Sequence, residues 1–167
     1  MPVEAVIVEV AQALVVELTG AGLSQSFTPE LSYADWSYEL PDLGTLHVDI
    51  VPADTLADID VEAAGEFAVT VDVLIRQRFA IADQESSTGR IATADINALM
   101  LLVEEVWRKL RPDPGASTGR LTTPGGLSAV WDPDPRRTRF VQHFVRQHLR
   151  QLGQFTGWLR FGYLVDL

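Results

Sequence analysis

The sequence predicts an α+β domain: a mostly antiparallel sheet with flanking helices in the order αβββαβαβ, carrying one long β-hairpin arm. Three observations predict it. Apolar residues recur at helical spacing near the start, in the middle and before the end of the chain. Stretches of period-two alternation lie between and after them. The strands follow one another in a run before the second helix, unlike the regular strand–helix alternation of a parallel fold. A chain of 167 residues suits one domain over residues 1–167, with enough length for a sheet covered by helices.

Each element has its own signal. Val3, Ile7, Val10, Leu14 and Leu18 recur at spacings of four and three, a helix stopped by Gly20 and Gly22. Val6, Val8, Val15 and Val16 widen its apolar stripe, so it needs more than one surface to bury against. Phe27 to Tyr38 and Leu46 to Val51 read as strands separated by Pro41, Asp42 and Gly44, with residues 53–65 as an acidic connecting loop. Phe67, Val69, Val71, Val73, Ile75, Phe79 and Ile81 then alternate with Glu66, Thr70, Asp72, Arg76 and Arg78. That pattern predicts a strand of about 15 residues buried on its odd-numbered face only, long against a usual 5–6, hence the arm.

Thr93 is the expected cap of a helix striped by Ile96, Leu99, Val103, Val106 and Leu110 and ended before Pro112. Residues 112–126, rich in Pro, Gly, Ser and Thr, read as a flexible loop, and Leu127 to Trp131 as a short strand. Asp134 and Pro135 open a third expected helix, with Phe140, Val141, Phe144, Val145, Leu149 and Leu152 at helical spacing up to Gly153. Phe155 to Val165 alternates as the closing strand.

The formal net charge is −10, which argues against general nucleic-acid binding, where cations must displace phosphate counterions. The distribution is uneven. Residues 1–75 hold 14 acids and no Lys or Arg, whereas residues 76–167 hold all 13 cations and 9 acids. Two readings fit: an acidic and a basic surface packed together within one chain, or an acidic side that meets the basic side of a neighbouring subunit. Apolar runs fall short of the roughly 18–20 residues of a membrane span, and the first segment lacks the basic start of a signal peptide, so a soluble cytoplasmic protein without membrane contact is expected. Cysteine is absent, which removes disulfides and thiolate metal sites.

The search for chemistry finds no GxSxG, Walker A, GxGxxG or HExxH pattern. Gly119 to Gly126 contains glycines without the Lys-Ser/Thr of a phosphate loop and reads as a turn. His47 and Asp49 share a strand face, but no further ligand follows at metal spacing. His143 and His148 diverge on a helix, and the carboxylates of Asp58, Asp60, Glu104 and Glu105 read as solvated. No catalytic, cofactor-binding or metal residues are therefore expected, and no cofactor. The candidate functional residues are instead arginines: Arg136, Arg137, Arg139, Arg146 and Arg150, with Arg76 and Arg78 on the polar side of the long strand. Arg139, Arg146 and Arg150 fall in one helical sector. They read as a subunit contact, a solvated face or a nucleic-acid patch, the last lacking interleaved exposed aromatics.

Three segments carry a resemblance: Leu46 to Ala53 (LHVDIVPA); Phe67 to Phe79 (FAVTVDVLIRQRF) leading on to Ile96 to Leu110 (INALMLLVEEVWRKL); and His148 to Val165 (HLRQLGQFTGWLRFGYLV). In order and spacing they resemble the neck proteins of tailed bacteriophages and prophages, of the tail-terminator, head–tail joining type. The resemblance implies a structural virion subunit that forms a ring, usually a hexamer. Such a ring caps the tail tube, joins it to the head through the head-closure and connector proteins, and lets DNA pass through its lumen without specific binding. It also implies no catalytic residues, and a place in the virion neck after assembly in the host cytoplasm. A baseplate- or sheath-associated subunit is the alternative within the same particle. A small enzyme or ligand-binding domain with a pocket under the 112–126 loop is the alternative from another class.

Overall fold

The computed structural model describes residues 4–33, 35–55, 66–80, 84–85, 90–113 and 119–166. The fold is α+β, with three flanking helices among the described residues and a curled, half-barrel sheet that is mostly antiparallel. In chain order the elements are α1 (Val6–Leu18), β1 (Pro29–Leu31), β2 (Leu46–Thr55), β3 (Glu66–Arg78), β4 (Gln84–Glu85), β5 (Arg90–Ile91), α2 (Thr93–Leu110), β6 (Arg120–Thr122), β7 (Ser128–Asp132), β8 (Arg139–Gln142), α3 (Arg146–Leu152) and β9 (Gln154–Asp166). The large sheet runs β1-β2-β3-β9-β7-β6, and β8 continues the line of β7 along the same edge of β9. Among the described residues only β1 and β2 pair in parallel; β4 and β5 form a separate small hairpin.

The alternation of Val69, Val71, Val73 and Ile75 puts their side chains on one face, where all four are fully buried. Ile50, Phe155, Leu159, Phe161 and Tyr163 join them, and α1 and α2 close this core with Val10, Leu14, Leu102, Val103 and Val106. Each such side chain contributes about 1.5–3 kcal/mol on burial. Thr19 ends α1 by giving its N–H and hydroxyl to the Val15 carbonyl, before Gly20 turns the chain. Glu17 of α1 meets Lys109 of α2 at 3.0 Å, and Ser24 donates to Glu105, so the helices are pinned together at their polar ends.

Several expectations are corrected. The long strand is not an arm: β3 pairs with β9 along all 13 residues and with β2 for most of its length, so it is central. Being central it is covered on both sides, and Ala68, Thr70, Asp72, Leu74 and Arg76 of the even-numbered face are buried too. The expected third helix is two elements, β8 and the short α3, because residues 139–142 find a free edge of β9. The expected strand over residues 27–38 is only Pro29–Leu31. Thr93 is the first helical residue, and the flanking Ala92 supplies no side-chain cap. Within 112–126, residues 120–122 pair with β7 as the sheet edge, while 114–118, like most of the 53–65 connection and Ile81, lie outside the described residues.

Candidate functional site

The second face of the sheet is where the charged residues gather. Cross-strand partners share a face, so Asp72 of β3 stands beside Arg160 of β9. The guanidinium grips both carboxylate oxygens, at 2.7 and 2.9 Å, a bidentate pairing that fixes orientation as well as charge. Asp49 of β2 accepts from Arg76 of β3 at 2.7 and 3.2 Å, both residues being buried. Asp132, at the end of β7, holds the buried Arg137. This last pair depends on Gly162: any Cβ there would lie 2.6 Å from the Arg137 Cβ. Thr138 completes the crossing by bridging the Asp132 carbonyl and the Gly162 N–H.

Two pieces cover this ionic face. Trp36, in the segment after β1, stacks on Trp158 of β9 at 5.1 Å and on His148 of α3 at 5.5 Å. Leu40 donates its N–H to the buried Gln154 side chain, and Glu39 pairs with Arg78, which also donates to the Leu40 carbonyl. His148 is buried, with Nδ1 2.9 Å from the Thr156 hydroxyl. Burial, reinforced by the Arg76 charge, holds its imidazole below the ordinary histidine range. Gly153 closes α3 in the left-handed region, and its carbonyl accepts the Phe79 N–H, tying the helix to the end of β3.

Between these covers lies an open cleft of about 360 Å³. Tyr33, Trp36 and Trp158 line it together with Asp35, Val51, Pro52, Leu74 and the Asp72–Arg160 pair. Arg160 also sits 5.7 Å from the Trp158 ring centre, and Trp158 Nε1 is buried with no partner among the described residues. Of the two carboxylates here, Asp72 is committed to Arg160 and Asp35 accepts from Ser37. The arrangement offers apolar contact and fixed charge for recognition, and its ion pairs hold the sheet.

The structure places the candidate arginines in three settings. Arg76 and Arg137 are buried in intramolecular pairs, and Arg78 is tied to Glu39 and Leu40, so these three are partnered within the chain. Arg136 lies in the turn before β8, paired with Asp134 at 2.6 Å, which holds that carboxyl down at about 2. Arg139, Arg146 and Arg150 are exposed and make no ion pair among the described residues. They do not share one helical sector, since Arg139 stands on β8 and only the other two on α3.

Of the weighed histidines, His47 pairs with Asp42 at 2.9 Å rather than with Asp49, and this bond lowers the Asp42 pKa. His143 stacks on Phe140. Among the described residues no three His, Asp or Glu side chains converge as a metal site. Beside the 112–126 loop, the cavity lined by Glu17, Lys109, Leu110, Gly119, Arg120 and Leu121 measures about 10 Å³, room for about one water. Sequence reasoning missed the Trp36–Trp158–His148 stack. It also missed the ion-paired face, although the charges of residues 66–78 and 154–166 all fall on even-numbered positions.

No protein-family model, curated protein or solved structure matches this chain.

Proposed function

We propose that this chain is a non-enzymatic structural subunit that assembles into a ring at the neck of a tailed phage or prophage particle, capping the tail tube, joining it to the head and letting DNA pass. The observation that carries the reading is where large apolar side chains stay at the surface. Tyr33, Trp36, Tyr38 and Leu43 belong to the segment over the ionic face, while Val16 and Leu101 belong to the helices over the core face. Exposed apolar side chains on both layers suit head-to-tail contacts, which close into rings when the rotation permits. The charge suits the role as well. A surplus of 10 negative charges per subunit lets a lumen repel phosphate, so that DNA slides without sticking.

The test is negative-stain imaging of the purified protein, alone and mixed with tail tubes from a matching particle. Rings with a central opening wide enough for duplex DNA, or caps on tube ends, are the expected result. Particles with no opening and tubes with bare ends contradict it.

A second reading, a ligand-binding module, draws on the aromatic cleft. It expects a small aromatic or sugar-like molecule to quench Trp36 and Trp158 fluorescence saturably, and a Trp36→Ala variant to lose that response. A flat titration across a compound library removes this reading.

A further inference from the structure

The stretch from residue 135 to residue 165 contains no acid and six arginines. Three of them are satisfied at home: Arg160 by Asp72, Arg137 by Asp132, and Arg136 by Asp134. Arg139, Arg146 and Arg150 are left exposed, without an acid of this chain on any of them among the described residues. Arg146 and Arg150 are one helical turn apart on the outward side of α3, opposite the buried His148.

The segment over the ionic face has the opposite character. Tyr33, Trp36, Tyr38 and Leu43 are exposed by 71, 36, 69 and 53%. Asp35 and Glu39 are exposed among them, Glu39 being shared with Arg78 of β3, and the segment itself carries no cation. Asp35 accepts from the N–H and hydroxyl of Ser37, and those bonds keep its carboxyl below the usual range. Aromatic faces and carboxylates side by side are what guanidinium groups bind best, by stacking and by paired hydrogen bonds.

We infer that the 33–43 segment of one copy of this chain receives the Arg139, Arg146 and Arg150 surface of a second copy. The occupant follows from charge and supply. A partner for three arginines must bring acids and apolar area together, and this chain displays both on one segment. Nucleic acid is the poorer partner, because Asp35 and Glu39 stand beside the arginine helix (Trp36 rests on His148) and the whole chain is anionic. The inference rests on the assembly reading only in requiring that copies associate. It does not require that they close into a ring.

The experiment uses the full chain and measures mass by light scattering over a concentration series. Arg146→Glu with Arg150→Glu sets like charges face to face and raises the association midpoint by about tenfold or more. Asp35→Lys does the same from the other side and leaves the Glu39–Arg78 pair of the fold in place. Mixing the two variants restores association, because each broken surface then meets its reversed partner. Tyr33→Ser with Tyr38→Ser, which changes no charge and removes only exposed rings, weakens association too, with the circular dichroism of a folded chain. If the wild type forms rings that all these variants also form, the contact is wrong and the ring stands. If it forms a dimer that the variants abolish and the mixture rescues, the contact stands and the ring is wrong. A wild type that stays monomeric at every concentration overturns both.

Discussion

A charge buried on a sheet face is held only while its partner stays, and Arg76 is 3% exposed with Asp49 across from it. Asp49→Ala therefore strands a guanidinium in a dry site, and urea unfolding should record a loss of about 3–5 kcal/mol. Replacing both, as Asp49→Leu with Arg76→Met, should come out close to neutral, because two desolvation penalties vanish with the attraction. A double replacement as costly as the single one would show that the pair is kept for something other than mutual neutralisation. Tyr163 gives the converse case. Its ring is fully buried, its hydroxyl has no partner among the described residues, and burial, with a smaller push from Glu17, raises its phenol pKa. Removing an unsatisfied hydroxyl relieves a desolvation cost, so Tyr163→Phe should equal or exceed the wild type by up to about 1 kcal/mol. A clear loss in the same melt would reveal a bond this account lacks.

Strand β3 shows what alternation reveals and what it hides. The odd-numbered residues of 67–75 were legible as core, and β3 and β9 differ from the expected bounds by only a few residues. The even-numbered residues read as solvent-facing because Thr70, Asp72 and Arg76 are polar, yet all three are buried. Polarity marks a wet surface only when no partner is at hand, and here the partners come from strands far away in sequence, such as Arg160 on β9. For the same reason the sequence could not show β8. Phe140, Phe144 and Leu149 suit a helix, and only the vacant edge of β9 draws residues 139–142 into the sheet. Val71→Asp and Thr70→Asp should consequently both impair folding, each by several kcal/mol if its carboxylate stays charged. Normal melting of Thr70→Asp would mean that the cover over the ionic face is loose.

The short helix α3 carries a pH dependence. His148 is held neutral by burial and by Arg76, so its folded pKa lies below its unfolded one. The unfolded chain then takes up the proton first, and stability falls as the pH drops below about 6.5. Urea midpoints at pH 7.5 and 5.5 should differ more for the wild type than for His148→Asn. Equal slopes would show that other groups set the acid limit.

At the scale of the whole molecule, the charge division at residue 75 has two outlets. Part of it closes internally: Glu17–Lys109, Glu39–Arg78, Asp49–Arg76 and Asp72–Arg160 each join the acidic first part to the basic second part. Part of the remainder stays at the surface, where Arg139, Arg146 and Arg150 are exposed and an acidic, aromatic segment lies against the helix that carries two of them. Opposite charges displayed in this way orient a chain that meets its own kind. The division was legible in the sequence. Which arginines stay outside was not, because Arg76, Arg137 and Arg160 are told apart from Arg139, Arg146 and Arg150 only by the sheet.

The proposed ring is open to one decisive measurement, the mass of the protein in solution. The subunit weighs 18.4 kDa. Light scattering over rising concentration at low salt should show one closed species of several subunits, and added salt should shift it towards monomer as exposed ion pairs are screened. A mass that stays at one subunit at every concentration and salt, with tail tubes present or absent, would contradict the account.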